Sequence, residues 1–211
     1  MDSVSRHDDY EQGALLESDL DPDPFVQFAR WLGDAEAADL PSPNAMVLTT
    51  AGEPGPTSRT VLLKDLVDGR FEFVTNGRSR KGRALAADGR VSLLFPWYGL
   101  ERQVLVDGTA TAAPADRSDS YWAGRPRGSQ LAAWASDQSQ PVASRDVLEE
   151  RMRDVEERFR STADVPRPPQ WGAWLVEPTR IEFWQGRPSR LHDRLVFGRR
   201  EDGWRIERLQ P

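Results

Sequence analysis

Hydrophobic and polar positions change period several times along the 211-residue chain. Residues 1–22 are polar and acidic with no clear period, the pattern of a mobile N-terminal arm. At Asp23-Pro24 the pattern turns helical. Asp23 suits a helix cap and Pro24 the first helical position, and Phe25, Phe28, Ala29 and Leu32 fall on one apolar face. Strand-like runs follow at 45–50, 59–64, 71–75, 91–95 and 102–111, with turn chemistry at 52–55 and a two-residue hairpin signal at Asp68-Gly69. Asn76-Gly77 opens a basic segment, Arg78-Ser79-Arg80-Lys81, that leads into a short helix through Ala87. Five strands, short connections and one intervening helix predict a small, mostly antiparallel barrel.

A helical insert is expected at about 114–165. Residues 115–123 make a short helix that Arg125-Pro126-Arg127-Gly128-Ser129 breaks. Residues 144–160 carry the clearest helical period, with Leu148, Met152, Val155 and Phe159 on one face. Residues 171–209 read as strands again, with Asp202-Gly203 as a hairpin turn. There is no internal repeat. The expected fold is mostly β with α (α+β), one domain over 23–211 whose barrel is completed by strands on both sides of the insert.

Composition removes several chemistries. The chain has no Cys, which excludes disulfides, thiolate metal sites and Cys nucleophiles and fits a reducing cytoplasm. Its only histidines are His7 and His192, so a multi-His zinc site is excluded too, and no metal is expected. A net charge of −6 argues against nucleic acid or an anionic membrane as partner. No apolar run approaches a membrane span, and Asp2, Asp8 and Asp9 are unlike a signal peptide. A soluble cytoplasmic protein is expected.

The remaining candidate chemistry is cationic. Arg59 and Lys64 are five apart on one run, so strand alternation sends them to opposite faces; alone, they read as edge-strand charges. Arg78-Ser79-Arg80-Lys81-Gly82 lies between a strand and a helix start, where free N–H groups favour an anion; a solvated basic turn reads equally well. Arg125-Pro126-Arg127-Gly128-Ser129, beside Tyr121, looks like a second anion site. Arg190, His192 and Arg194 alternate onto one side, a row that suits a flat aromatic ring, although by itself it reads more readily as structural.

In order and spacing these segments resemble the pyridoxine/pyridoxamine 5′-phosphate oxidase family. The resemblance runs from about Tyr10 to Pro211. It is carried by Asn44-Ala45-Met46-Val47, the 59–64 run, Ser79-Arg80-Lys81, Leu94-Phe95-Pro96-Trp97 and Glu101-Arg102-Gln103. It continues through Arg125-Pro126-Arg127-Gly128-Ser129-Gln130, Ala133-Trp134-Ala135-Ser136, Gln138-Ser139, Ile181-Glu182-Phe183-Trp184-Gln185-Gly186, Arg190-Leu191-His192-Asp193-Arg194 and the ending Glu207-Arg208-Leu209-Gln210-Pro211.

The resemblance implies a split β-barrel with flanking helices that binds flavin mononucleotide (FMN), working as a homodimer with cofactor sites at the subunit interface. It assigns FMN binding to Arg59, Thr60, Val61, Leu62, Leu63, Lys64, Val74, Thr75, Arg80, Lys81, Gln103, Gln138, Ser139, Trp184 and Arg194. Lys64, Tyr121, Arg125 and Ser129 would hold a substrate phosphate. Arg190 and His192, with Leu191 between them, would face a pyridine ring, Arg190 orienting it and His192 handling a proton. Tyr10 would help cover the substrate. Some members carry an Arg shortly before that tyrosine, whereas here His7-Asp8-Asp9 precede it. The implied reaction belongs to pyridoxine biosynthesis: pyridoxamine or pyridoxine 5′-phosphate is oxidised to pyridoxal 5′-phosphate by dioxygen, with hydrogen peroxide released. The alternatives are a flavin oxidase acting on a phenazine-type substrate and a non-catalytic carrier of flavin or pyridoxal phosphate.

Overall fold

The computed structural model describes residues 9–52 and 54–211. Helix α1 (Pro24–Ala37) precedes strands β1 (Ala45–Thr50), β2 (Thr57–Leu62), β3 (Asp65–Val67) and β4 (Arg70–Asn76). Helix α2 (Arg80–Ala87) leads to β5 (Arg90–Trp97) and β6 (Arg102–Ala112). Helices α3 (Ala115–Ala123), α4 (Arg127–Ala135) and α5 (Arg145–Arg158) form the insert, and β7 (Trp171–Gln185), β8 (Asp193–Arg200) and β9 (Gly203–Arg208) end the chain. The fold is mixed α+β, as expected.

All strand pairings are antiparallel, in the order β2-β1-β5-β6-β7-β4-β3, with β8 on β7 and β9 on β8. The long strand β7 organises the sheet. One edge pairs with β6; the other pairs first with β4, through Trp171 to Val176, and then with β8, through Arg180 to Gln185. Between these stretches the β6–β7 register shifts at Asp107/Gly108, and such an irregularity bends a sheet. The sheet curls into a half-barrel, and beyond β2 the Lys64 N–H donates to the Glu72 carbonyl of β4 at 2.8 Å.

Alternation sets the inner face. Leu93, Phe95 and Trp97 of β5, Val104 and Val106 of β6, Ile181 and Phe183 of β7, and Leu195 and Phe197 of β8 are all buried. Helix α1 packs on this core, Phe28 meeting Phe95 at 4.8 Å and Phe71 at 5.1 Å between ring centroids, and Trp31 meeting Phe183 at 5.2 Å. Burying each such ring contributes about 1.5–3 kcal/mol. A second cluster, Trp122, Leu131, Phe159, Val165 and Trp171, joins the insert to the start of β7. Its indole N–H groups find partners: Trp122 Nε1 donates to the Val165 carbonyl at 2.7 Å and Trp134 Nε1 to that of Pro166 at 2.8 Å.

Several local expectations change. Asp23 caps α1 as predicted, accepting from the Phe25 N–H, but Ala29 is exposed and Trp31 takes its place on the buried face, where it covers far more apolar area. Helix α4 was hidden by Pro126 and Gly128; Pro126 sits at its cap position, where a missing N–H costs nothing. The β8–β9 turn is Glu201-Asp202, with Gly203 already paired to Arg200. The face expected on α5 is half-buried except for Phe159, which is buried at its C-terminal cap. Within the stretch drawn as an arm, the described residues lie along the barrel. Leu15 is 3% exposed in the main core, its N–H donates to Asp193 Oδ2, and its carbonyl accepts from Arg208. His7 and Asp8 lie outside the described residues.

Candidate functional site

The basic turn between β4 and α2 is built by local geometry. Ser79 caps α2, its Oγ accepting from the Gly82 N–H at 3.1 Å and donating to the Asn76 carbonyl at 2.6 Å. Residue 82 has to be glycine: a Cβ there would lie 2.5 Å from Gly77 Cα and from two carbonyl oxygens. This close approach holds Arg80 and Lys81 at the first turn of α2, facing β2. On β2, Arg59 donates to the Leu48 carbonyl at 3.1 Å, Thr50 Oγ1 at 3.0 Å and Thr57 Oγ1 at 2.5 Å. The three cations crowd one another. Burial and the charge of Arg80 hold Arg59 below its usual pKa, and burial and the charge of Arg59 do the same for Lys81. None of the three has a carboxylate partner among the described residues.

A cleft of about 540 Å³ opens beside this turn, between β2, β4 and the insert, with Lys64, Thr75, Lys81, Arg125, Gln138 and Trp171 in its wall. Lys81 Nζ donates to Gln138 Oε1 at 2.9 Å, which ties the turn to the loop after α4. Further along, Lys64 Nζ lies 5.4 Å from the Tyr121 ring centre, Tyr121 stacks on Trp171 at 5.9 Å, and the Arg125 guanidinium lies 5.0 Å from the Trp171 ring centre. Among the described residues, two buried side-chain polar atoms lack a hydrogen-bond partner, Thr75 Oγ1 and Arg125 Nε, and both residues line this cleft. An unpaired buried polar atom costs roughly 1–3 kcal/mol, so the cleft is shaped for a ligand that supplies acceptors. Two cationic groups without an ion-pair partner among the described residues, Arg59/Arg80/Lys81 and Lys64/Arg125, fit two phosphate-like anions.

A second constellation forms on the outer face of the sheet. Gln103, Trp184 and Arg194 sit side by side, because β6 pairs Gln103 with Trp184 and β8 pairs Trp184 with Arg194. Glu182, 4% exposed, holds Arg194 through bonds of 2.6 and 3.1 Å and also accepts from Arg180. Burial opposes ionisation of Glu182, but Arg194 and then Arg180 outweigh it and keep its carboxyl below the usual range. Beyond Gly186 the chain turns back, and His192 packs on Trp184 at 4.6 Å, with Tyr10 edge-on to both rings. Gly186 makes room, since a Cβ would lie 2.6 Å from the Tyr10 ring. The Arg187 N–H donates to His192 Nδ1 at 3.1 Å. Burial, and then the charge of Arg190, lower the His192 pKa from its ordinary value. Ser189 and Arg190 both adopt positive φ, 56° and 61°, in the turn that presents His192.

The structure thus gathers Thr60, Val61, Leu62, Lys64, Val74, Thr75, Lys81, Gln138 and Arg125 around one cleft, with Arg59, Arg80 and Tyr121 next to it. The Leu63 side chain is 6% exposed in the main core, which leaves its backbone as the part nearest the site, and its N–H donates to the Asn44 carbonyl. Ser139 follows Gln138 with φ of 72°, and Ser129 lies in the first turn of α4, its N–H donating to the Pro126 carbonyl. Gln103, Trp184, Leu191, His192, Arg194 and Tyr10 do not line the cleft. Trp171 in the cleft wall and Trp184 are thirteen residues apart on one strand, roughly 40 Å of extended chain. Sequence reasoning did not single out Glu182 or Trp171; the available signal was a carboxylate between Ile181 and Phe183 in an otherwise apolar run.

Among the described residues, no helix is long and apolar enough to cross a membrane, and no group of His, Cys, Asp and Glu suits a metal ion. Residues 32–159 match the family model described as pyridoxamine 5′-phosphate oxidase, and residues 171–211 match the pyridoxine 5′-phosphate oxidase C-terminal dimerisation region. The chain is similar to a pyridoxine/pyridoxamine 5′-phosphate oxidase of Rubrobacter xylanophilus, with 54% identity over 96% of this chain and 94% of the relative. A protein of the same name from Cupriavidus taiwanensis is 52% identical over 96% of this chain and 95% of the relative. Among solved structures, PhzG from Burkholderia lata in complex with tetrahydrophenazine-1-carboxylic acid superposes with a TM-score of 0.86. It is 30% identical, over 94% of this chain and 98% of that one.

Proposed function

The chain belongs to the pyridoxine/pyridoxamine 5′-phosphate oxidase family of oxidoreductases, and we propose that it oxidises pyridoxamine or pyridoxine 5′-phosphate to pyridoxal 5′-phosphate with FMN as cofactor. The observation that carries this reading is the cleft with two separate cationic groups and two buried, partnerless polar atoms. Arg59, Arg80 and Lys81 suit the phosphate monoester of FMN, and Thr75 Oγ1 is placed to donate to the same ligand. Lys64, Arg125 and Ser129 suit the substrate phosphate, with Tyr121 and Trp171 as the apolar wall. The chemistry that FMN supplies when bound is two-electron oxidation, with dioxygen as the terminal acceptor and hydrogen peroxide as its product. The protein's share is binding, orientation and exclusion of water.

The candidate catalytic pair Arg190 and His192, in the turn after β7, and the Gln103–Trp184–Arg194 row at the far end of β7 from Trp171, do not line the cleft of the same chain. A second copy brings one chain's row to the other chain's cleft, so each site is composite. Support comes from the match of residues 171–211 to a dimerisation region and from the outer face of the sheet. There Val47, Leu94 and Leu105 are neighbours across β1, β5 and β6, half-buried in the single chain. Arg194, held by Glu182, would then contribute to FMN binding from the partner side. Arg190 orients the substrate ring, since a guanidinium stays charged and is a poor base.

The similarity to PhzG favours a phenazine-type substrate as the second reading. Lys64 and Arg125 weigh against it, because a substrate without phosphate leaves these cations unpaired. Steady-state peroxide release with pyridoxine 5′-phosphate, compared with unphosphorylated pyridoxine, tests the proposal. The phosphorylated compound should be the better substrate by at least tenfold, about 1.4 kcal/mol. Equal rates, or no peroxide from either, would refute it.

A further inference from the structure

We infer that the Arg187 backbone N–H fixes His192 as the Nε2–H tautomer, so that His192 meets the substrate as a hydrogen-bond donor and does not take its proton. The donor role rests on the oxidase reading above; the tautomer does not. The Arg187 N–H points at His192 Nδ1 from 3.1 Å, and an N–H can only donate to a nitrogen that carries a lone pair. The one ring proton of neutral imidazole therefore sits on Nε2, which makes no hydrogen bond with the described residues. Protonating Nδ1 would set two N–H groups against each other.

The surroundings hold this state. Trp184 and Tyr10 pack on the ring at 4.6 and 5.2 Å, so it cannot turn freely to offer its other edge. The charge that acts on the ring is that of Arg190, which disfavours an imidazolium, as does burial. The carboxylate next in sequence, Asp193, is engaged elsewhere: Oδ1 accepts from Arg208 at 2.6 Å, and Oδ2 accepts from the Leu15 N–H at 3.0 Å and faces Arg187 at 3.6 Å. No carboxylate among the described residues hydrogen-bonds to the ring, so nothing compensates a positive imidazole. A His whose Nδ1 is occupied by a backbone donor and whose cationic form is opposed is a donor through Nε2. The expectation that His192 handles a proton is thereby replaced. Its requirement is positional, met by a backbone group that no side-chain replacement at 187 other than proline removes.

The protein carries two histidines, which makes the test direct. A long-range proton–nitrogen correlation spectrum of the FMN-loaded protein at pH 7 should show two rings, and a His7→Gln variant identifies which is His192. The expected result is an unprotonated Nδ1 and a protonated Nε2, with titration below the ordinary histidine range. An Nδ1–H tautomer, or an imidazolium at pH 7, overturns the inference and leaves the oxidase reading intact. Anaerobic stopped-flow reduction of the flavin adds the second arm. The Gln side chain keeps a donor near the Nε2 position but cannot accept a proton. His192→Gln should therefore reduce flavin within about tenfold of the parent, while His192→Ala falls further. Loss of roughly 10²–10⁴-fold in both variants, the usual worth of a general base, would overturn the donor role. The predicted spectrum in a protein that oxidises no phosphorylated pyridine would instead overturn the oxidase reading.

Discussion

Lys81 and Gln138 are joined by a 2.9 Å hydrogen bond from Nζ to Oε1, across 57 residues of chain. The bond closes the cleft between the basic turn and the helical insert, and it keeps an ammonium that has no carboxylate partner among the described residues aimed at the ligand space. Lys81→Ala should weaken FMN binding by about 1.5–3 kcal/mol, the usual range for a hydrogen bond to a charged group. Fluorescence titration of the apoprotein with FMN measures it. Unchanged affinity would remove Lys81 from the cofactor site.

The substrate phosphate site should separate from the flavin site. Arg125 lies against Trp171 with its Nε buried and unpartnered among the described residues, on the insert side of the cleft, whereas Arg59, Arg80 and Lys81 belong to β2 and the first turn of α2. Arg125→Ala should raise KM for the phosphorylated substrate at least tenfold, about 1.4 kcal/mol, with bound FMN nearly unchanged. Parallel loss of flavin would mean that the two anions have been assigned to the wrong groups.

Arg190 should matter for rate without mattering for cofactor content. It precedes His192 by two residues in a turn of positive φ. Arg190→Met should lower kcat/KM by about 10²-fold or more, the scale of a lost positioning group, with normal FMN content. Wild-type reduction rates and substrate affinity in this variant would make its role structural.

Sedimentation should show a species near twice 23.8 kDa. Leu105 lies between Leu94 and Glu182 in the cross-strand row on the outer face. Leu105→Asp should place an unpaired charge in the interface, shift the population to monomer and release FMN with it. A monomer of this variant that retains full flavin content would refute the composite site.

Arg208 grips Glu17 with bonds of 2.7 and 2.9 Å and thereby fastens the N-terminal segment that carries Tyr10. The hydrogen bond from Arg208 lowers the Glu17 pKa from 4.5 to about 2. A lowered carboxylate pKa stabilises the folded form above the unfolded-state value and loses that contribution as pH falls through the folded one. The Tm difference between the parent and Glu17→Gln should thus be constant above about pH 5 and vanish between pH 4.5 and 2. A difference independent of pH across that window would show that the ion pair contributes nothing.

Much of the fold was legible in the chain. Period-2 runs bounded by Asp68-Gly69 and Asn76-Gly77 marked strands, because alternation and turn chemistry are local properties. The cap at Asp23, the helical period from residue 144 and the helix at Ala115–Ala123 were legible for the same reason. Helix α4 was not, since the breaker Pro126 is harmless at a helix start and only the burial of Leu131 against Trp122 and Trp171 shows where that segment belongs.

The cationic segments likewise announced anion chemistry, but not which of them share a site. Lys64, Lys81 and Arg125 come to one cleft only because β2, β4 and α3–α4 are brought together by the curled sheet and the second core. Gln103, Trp184 and Arg194 become neighbours only through the register of β6, β7 and β8. Alternation put Arg190, His192 and Arg194 on one side of an extended run, yet the chain folds into a turn at Ser189 and Arg190. By itself the sequence determined residue types, periods and turns, whose energies come from a few neighbouring residues. Which cations meet, and which carboxylates they lose to Arg208 or Arg194, depend on contacts between residues far apart in the chain, and tertiary packing alone decides those.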